Sequence, residues 1–264
     1  NFVFSILLIG AIAGDIIGSR FEYIYKKTRD FELYSELCFF TDDSILTIAI
    51  ADSILGNRNY AKNLRLYFSK YSSADYGNGF RKWAESDSDI PYRSRGNGSA
   101  MRVSPIGDYF DTLDDVLKNS KESAKITHHH VEGIKGAQAT ASAIFLAKQK
   151  KDKQKIKEYI SETFGYKLDG SIDSIRKWYE YDGSCQGTVP QAITSFLEAK
   201  DFEDTIRNAI SIGGDSDTLA CIAGSIAEPY YGIPKEIRNF VEKKLDPQLM
   251  SVVRKFEDAI SKKH

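Results

Sequence analysis

The chain has 264 residues, with 36 Lys+Arg against 37 Asp+Glu for a formal net charge of -1, and it is 42% hydrophobic and 12% aromatic. That composition is ample for a packed core, and the absence of any basic block or stripe excludes nucleic acid held by bulk charge. Cys38, Cys185 and Cys221 lie far apart without a C-x-x-C pair, which argues against a disulfide framework or a thiolate zinc site and makes the cytoplasm the expected location.

In chain order, "NFVFSILLIGAIAGDIIGSRFE" (1 to 22) begins apolar but lacks a basic leader region and is broken by Asp15. It falls short of the ~20 apolar residues that a bilayer span needs, so a buried helix is predicted and no membrane partner. Gly10, Gly14 and Gly18 recur every fourth residue and share one face of that helix, where another backbone can approach. "SILTIAIADSIL" (44 to 55) and "TLACIAGSIA" (218 to 227) are apolar around most of their circumference and belong at the centre. "NYAKNLRLYFSKY", "TLDDVLKNSKESAKI" and "DPQLMSVVRKFEDAISKK" alternate faces at helical period and belong outside.

The stretch 71 to 110 gathers Gly, Ser, Asp and Pro and is the less regular region. "KQKKDKQKIKEY" reads as a solvated helix end and turn. Helix starts are predicted at Thr112 with Asp115, at Thr188 ahead of Pro190, and at Asp201 with Asp204. No alternating run is long enough for a strand. The expected architecture is all-α, a single compact orthogonal helical bundle over 1 to 264 with buried central helices, and a monomer.

Two of the central helices open on acids. "FFTDDSIL" places Thr41, Asp42 and Asp43 before one, and "GGDSDTLA" places Asp215, Asp217 and Thr218 before the other. Taken singly, each pattern is explained by helix capping. Capping needs only one such residue, however, and four carboxylates brought together repel by about 4 kcal/mol per pair at 4 Å and an effective dielectric of 20. Oxygen donors from Asp and Thr suit Mg²⁺, Mn²⁺ or Ca²⁺, neither segment has EF-hand spacing, and a two-metal site from separated segments is the sharper expectation.

The sequence resembles the ADP-ribosylglycohydrolase family, the group that includes the dinitrogenase-reductase-activating glycohydrolases. The matching pieces are "GAIAGDIIGSRFE", "FFTDDS", "GNGSAMRVSPIG", "THHHVEGIKGAQATA", "SCQGTVPQAITSFLEA" and "GGDSDTLACIAGSIAEPYYGIP", in order along nearly the whole chain. The resemblance implies an all-α fold and a binuclear Mg²⁺ or Mn²⁺ centre held by Thr41, Asp42, Asp43, Asp215, Asp217 and Thr218. It implies that Glu22 lies beside the metals near the distal ribose. It further implies that the turn Gly96, Asn97, Gly98 and Ser99 offers backbone N–H groups and a hydroxyl to the diphosphate, with His128 alongside.

The histidine segment departs from the T-H-N-H-P-E-G form at His129 and Val131. Three consecutive helical histidines point about 100° apart, so a mixed set is expected and not a zinc cluster. Met101 and Arg102 are read as core packing and a surface ion pair, with ligand contact as the alternative.

The implied reaction is hydrolysis of the glycosidic bond between ADP-ribose and a modified side chain, with arginine linkage first among serine, acetyl and small guanidino adducts. Glu22, Asp42 and Asp43 are the candidates for the base. The partner is then an ADP-ribosylated protein or a small ADP-ribosyl adduct. A non-catalytic ADP-ribose-binding or crystallin-like protein and a two-metal phosphoesterase are the alternatives. Specificity is expected in the loop 71 to 95, where Tyr76, Trp83 and Tyr92 either line a rim or pack, with packing favoured.

Overall fold

The computed structural model describes residues 8–263. Fifteen α-helices appear among them: α1 (Ile9–Gly18), α2 (Asp42–Leu55), α3 (Tyr60–Lys70), α4 (Asn78–Glu85), α5 (Gly98–Met101), α6 (Ser104–Tyr109), α7 (Leu113–Lys125), α8 (Val131–Lys148), α9 (Lys153–Phe164), α10 (Ile172–Trp178), α11 (Cys185–Glu198), α12 (Phe202–Ser211), α13 (Ser216–Tyr231), α14 (Lys235–Lys244) and α15 (Pro247–Ser261). No strand forms among the described residues, where Gly96 and Ser184 make an isolated antiparallel bridge. The fold is all-α, as the sequence predicts. Among the described residues no helix is long and apolar enough to cross a membrane.

The centre is built from α1, α2 and α13, which are buried along nearly their whole lengths. The amphipathic helices α3, α7 and α15 bury one stripe each and lie around them. The predicted helix over 1 to 22 is α1, followed by a 3-10 turn, Ser19–Phe21; the first seven residues of that prediction lie outside the described ones. All three cysteines are free and buried.

The glycine ladder explains how α1 and α13 meet. A Cβ on Gly14 would overlap the carbonyl of Ala220, and one on Gly18 would sit 2.6 Å from the Cα of Asp217. The two backbones touch directly, so α1 delivers the following turn and Glu22 to the mouth of α13. Gly14→Ala is expected to destabilise by at least about 3 kcal/mol, because backbone on the other side cannot yield as a side chain can. That corresponds to a fall in Tm of roughly 6–12 °C for a chain of this class. Gly56→Ala, where the nearest atom is 3.5 Å away, is the control that thermal unfolding should find nearly neutral.

Three expectations need correction. Thr188 does not cap α11: the N-cap is Ser184, whose hydroxyl accepts from Gly187 N, and Pro190 lies inside the helix. The cause is the Gly96 bridge, in which Cys185 N donates to Arg95 O at 2.9 Å and fixes the chain there, while Thr188 donates to Asp182 O. Arg102 is not a surface residue: it is 1% exposed, and its hydrogen bonds go to Ser123 O and the Thr127 hydroxyl, not to a carboxylate. The stretch 71 to 110 is also more ordered than its composition suggests, since it contains α4, α5 and α6. Within it Tyr76 stacks on Phe80 at 5.4 Å and Arg65 lies over Trp83 at 4.1 Å.

Candidate active site

One cavity of about 990 Å³ opens between the mouths of α2 and α13, at the upper end of the range typical for small-molecule sites. Its walls include Glu22, Thr41, Asp42, Asp43, Asp215, Asp217 and Thr218, and across from these Gly96, Asn97, Gly98 and His128. Residues separated by almost 200 positions in sequence thus face one space. Asp42 and Glu22 are partly buried, and Asp43, Asp215 and Asp217 are buried.

Capping does not account for these acids. At α2 the cap is Thr41, whose hydroxyl oxygen accepts from Asp43 N at 3.2 Å, so neither aspartate is needed for it. Asp215 is the N-cap residue of α13 and makes no side-chain cap bond; its Oδ2 accepts from the Asn97 amide at 2.7 Å. Gly213 and Gly214 ahead of it have φ of 80° and 77°, a left-handed pair that only glycine adopts cheaply. That turn swings the chain so that both Asp215 and Asp217 face the cavity. Lys27 clamps it by donating to Tyr179 O and Ile212 O at 2.5 and 2.6 Å.

Carboxylate oxygens of Glu22, Asp215 and Asp217 lie within 4.8 Å of one another. The buried Oδ2 of Asp43 has no hydrogen-bond partner among the described residues, although a buried charge without a partner is strongly disfavoured. Burial and then the repulsion of neighbouring acids push Asp42, Asp43 and Asp217 well above the usual carboxylate range, and burial followed by Asp215 raises Glu22 to about 7. Hard anionic oxygens in such surplus fit divalent cations of the magnesium type.

Protonation relieves the same repulsion, which fixes the sign of a pH effect. Because these groups bind protons more tightly folded than unfolded, their contribution to stability is present in acid and lost as pH rises, for Glu22 as pH passes through about 7. In EDTA, Tm should therefore fall between about pH 5 and pH 8. Millimolar Mg²⁺ or Mn²⁺ should flatten that fall, since the cation replaces the protons. A melting series in the two buffers checks both halves.

Asp15, which breaks the apolar run near the start of the chain, was the signal of a site residue that motif reading left unassigned. It is fully buried and accepts from Thr41 N at 2.9 Å, the Thr41 hydroxyl at 2.6 Å, Ser44 N at 3.1 Å and the Ser44 hydroxyl. By accepting from the N–H and hydroxyl of both Thr41 and Ser44 it pins the start of α2 to α1.

On the opposite wall, Gly96 N donates to the Ser94 hydroxyl and Asn97 N to Gly183 O, so the donor the turn can offer to the cavity is the N–H of Gly98, which the first turn of a helix does not satisfy internally. The Ser99 hydroxyl is not among the cavity groups. It donates to Gly133 O at 2.7 Å with Ser99 fully buried, because α8 packs directly behind α5. The expectation of a hydroxyl for the diphosphate is corrected accordingly. Asn97 likewise spends its amide on Asp215 and Thr188, joining the two walls.

The three histidines are a mixed set: His128 is buried against the cavity, His129 is exposed, and His130 caps α8 by accepting from Glu132 N. Tyr76 and Tyr92 line the cavity, whereas Trp83 packs only in the core. Sequence reading gave no sign of Tyr23 or Tyr181, and it did not single out Phe39 or Asp75 within the stretches it named; all four line the cavity.

An all-α bundle with a large cavity between two acid-bearing helix mouths defines a helical protein with a cation-suited site. The chain belongs to the ADP-ribosylglycohydrolase family, whose family model matches residues 6–263. It is 28% identical over 272 residues to the ADP-ribosylhydrolase ARH3 of Gallus gallus, covering 75% of this chain and 71% of that one. It is 24% identical over 276 residues to the ADP-ribosylarginine hydrolase Tri1 of Pseudomonas putida (strain GB-1), covering 89% and 72%. A solved structure titled ADP-ribosylglycohydrolase-related protein complex superposes with a TM-score of 0.72 at 22% identity over 96% of this chain and 95% of that one, which supports the shared fold.

Proposed function

We propose that this chain hydrolyses the N-glycosidic bond between the distal ribose of an ADP-ribosyl group and an arginine side chain, releasing free ADP-ribose. The observation that carries the reading is that one cavity holds an acidic wall suited to divalent cations and, opposite, a glycine turn beside His128. The first suits the reacting sugar and the second a diphosphate. Thr41, Asp42, Asp43, Asp215, Asp217 and Thr218 are the residues that would hold two Mg²⁺ or Mn²⁺ ions. Bound there, the ions supply Lewis acidity and orientation of ribose hydroxyls.

Glu22 is the proposed base. It enters the acidic group from a turn outside both helix mouths, on the longest carboxylate side chain present, and it is partly open to the cavity. In the reaction the anomeric carbon–nitrogen bond breaks, the oxygen of water joins that carbon, and the water proton passes through the Glu22 carboxylate to the departing guanidine nitrogen. Asp42 and Asp43 stabilise positive charge developing on the ribose. The Gly98 N–H and His128 hold the diphosphate and fix the sugar in place, a contribution worth several kcal/mol.

Arginine linkage is favoured by the rim. Glu22 and Asp75 place carboxylates at the opening, with Asp75 accepting from the Tyr23 hydroxyl at 2.9 Å, and Phe39 and Tyr181 are exposed aromatic neighbours. Acids and aromatic faces suit a planar guanidinium better than a neutral serine or acetyl ester.

The test offers arginine-, serine-, cysteine- and acetyl-linked ADP-ribose to the protein in Mg²⁺, in Mn²⁺ and in EDTA, with products identified. Intact ADP-ribose, released from the arginine linkage at least ~10-fold faster than from the others and not in EDTA, is expected. AMP with ribose 5-phosphate would mean phosphate chemistry, and tight ADP-ribose binding without turnover would mean a binding protein; either overturns the proposal.

A further inference from the structure

Arg102 is the cation that this reading leaves unexplained. It is 1% exposed, lines the cavity beneath the glycine turn, and its Nε and Nη1 have no hydrogen-bond partner among the described residues. No carboxylate forms an ion pair with it among those residues. Burial lowers its pKa to about 10, so it stays charged at neutral pH. A buried, partly unsatisfied guanidinium costs stability, and an anion in the cavity is the natural compensation.

Its one side-chain partner is informative. Arg102 Nη2 donates to the Thr127 hydroxyl at 2.8 Å, and the same oxygen lies 2.7 Å from His128 Nδ1. Guanidinium is a donor only, so the Arg102 contact takes a Thr127 lone pair, and the Thr127 hydrogen goes either to His128 Nδ1 or to Tyr92, which also hydrogen-bonds Thr127. Donation to Nδ1 puts the ring proton on Nε2. The far side of the ring stands against the turn, for a Cβ built on Gly98 would lie 3.3 Å from His128 Nε2. Tyr92 completes the pocket with its ring 5.8 Å from the imidazole. Burial and the nearby Arg102 charge also hold His128 well below its usual pKa, which keeps the ring neutral with a single proton to place.

We propose that Arg102 and Thr127 are positioning residues that lock His128 in its Nε2–H tautomer, so that the wall beside Gly98 presents a fixed N–H donor, backed by a buried positive charge, to a phosphate oxygen of the diphosphate. The arrangement rests on the ADP-ribosyl reading for its ligand, but the lock is a property of the protein alone. It explains why the cation is kept: through Thr127 it sets a hydrogen position that burial by itself leaves open.

Two measurements test it. Long-range proton–nitrogen correlation spectra of the ¹⁵N-labelled protein, with His128 identified by its absence in His128→Gln, should show Nε2–H. Thr127→Val should give a mixed or Nδ1–H ring, and Thr127→Ser should restore the original. Calorimetry with ADP-ribose should show Thr127→Val weakening Kd about 10-fold, as for one lost hydrogen bond to a charged group, with rescue in Thr127→Ser. Arg102→Met, which replaces an unsatisfied buried cation by an apolar chain of similar length, should keep or raise Tm yet weaken the same Kd.

An Nδ1–H ring in the unmodified protein, or a tautomer indifferent to Thr127→Val, overturns the lock. A changed tautomer with unchanged ADP-ribose affinity overturns its service to the diphosphate. If ADP-ribose fails to bind at all while the tautomer pattern holds, the functional reading fails and the lock stands.

Discussion

Asp217→Asn is expected to abolish hydrolysis while making the metal-free protein more stable. Asp217 is 4% exposed and is raised far above the ordinary carboxylate range by burial and then by Asp215, Asp43 and Glu22. An amide of the same shape removes a charge from that crowd, and its side chain can still accept from Thr218 N, as Asp217 Oδ1 does at 2.9 Å. In EDTA at pH 8 the variant should melt higher than the unmodified chain, by about 2–4 °C for each kcal/mol of repulsion relieved. Added Mg²⁺ or Mn²⁺ should then raise its Tm little, because a ligand is gone. Turnover of arginine-linked ADP-ribose should drop about 10³-fold, the equivalent of roughly 4 kcal/mol of lost charge stabilisation. Opposite signs for stability and activity separate this from a folding defect. A variant of full activity in Mg²⁺ would falsify the assignment of Asp217 to the cation site.

Glu22→Gln is expected to cost about 10²–10⁴-fold in kcat, the usual worth of a general base. KM and the Kd of ADP-ribose should change little, because the proposed diphosphate contacts, Gly98 and His128, line the opposite wall. The substitution also removes one of the three converging carboxylates, Glu22, Asp215 and Asp217. Tm in EDTA should therefore rise, as for Asp217→Asn, whereas the Mg²⁺-dependent increment should survive. Loss of that increment would place Glu22 among the metal ligands instead of at the base position; unchanged kcat would hand the base role to Asp42 or Asp43. Single-turnover kinetics beside calorimetric titration of the metal distinguishes these outcomes.

Much of the fold was legible in the residues alone. The apolar runs at 44 to 55 and 218 to 227 could only be central helices, because they have no polar face to show to water. The four-residue glycine spacing announced a close helix crossing, and α1 does meet α13 through it. The capping residues Thr112 and Asp201 act as their local chemistry predicts. Local rules failed at Thr188, where a long-range bond from Cys185 N to Arg95 O moved the helix start to Ser184. Acids placed before buried helices, with oxygen-rich side chains and no EF-hand spacing, likewise carried the expectation of a hard cation, since that depends on residue type and not on neighbours.

What the tertiary structure alone decided is who faces whom. Whether Asp42 and Asp43 share a space with Asp215 and Asp217 depends on how α2 and α13 cross. That crossing is set by packing on α1 and by Asp15, whose bonds to Thr41 and Ser44 span more than 25 positions. The Ser99 hydroxyl, free in a sequence motif, is consumed by Gly133 once α8 packs behind it. Arg102, unremarkable in the string, becomes a buried cation joined through Thr127 to His128. Sequence fixes the donors, acceptors and charges that each position can offer, but hydrogen bonds and repulsions act over a few ångströms. Only the folded chain determines which of them fall within that reach.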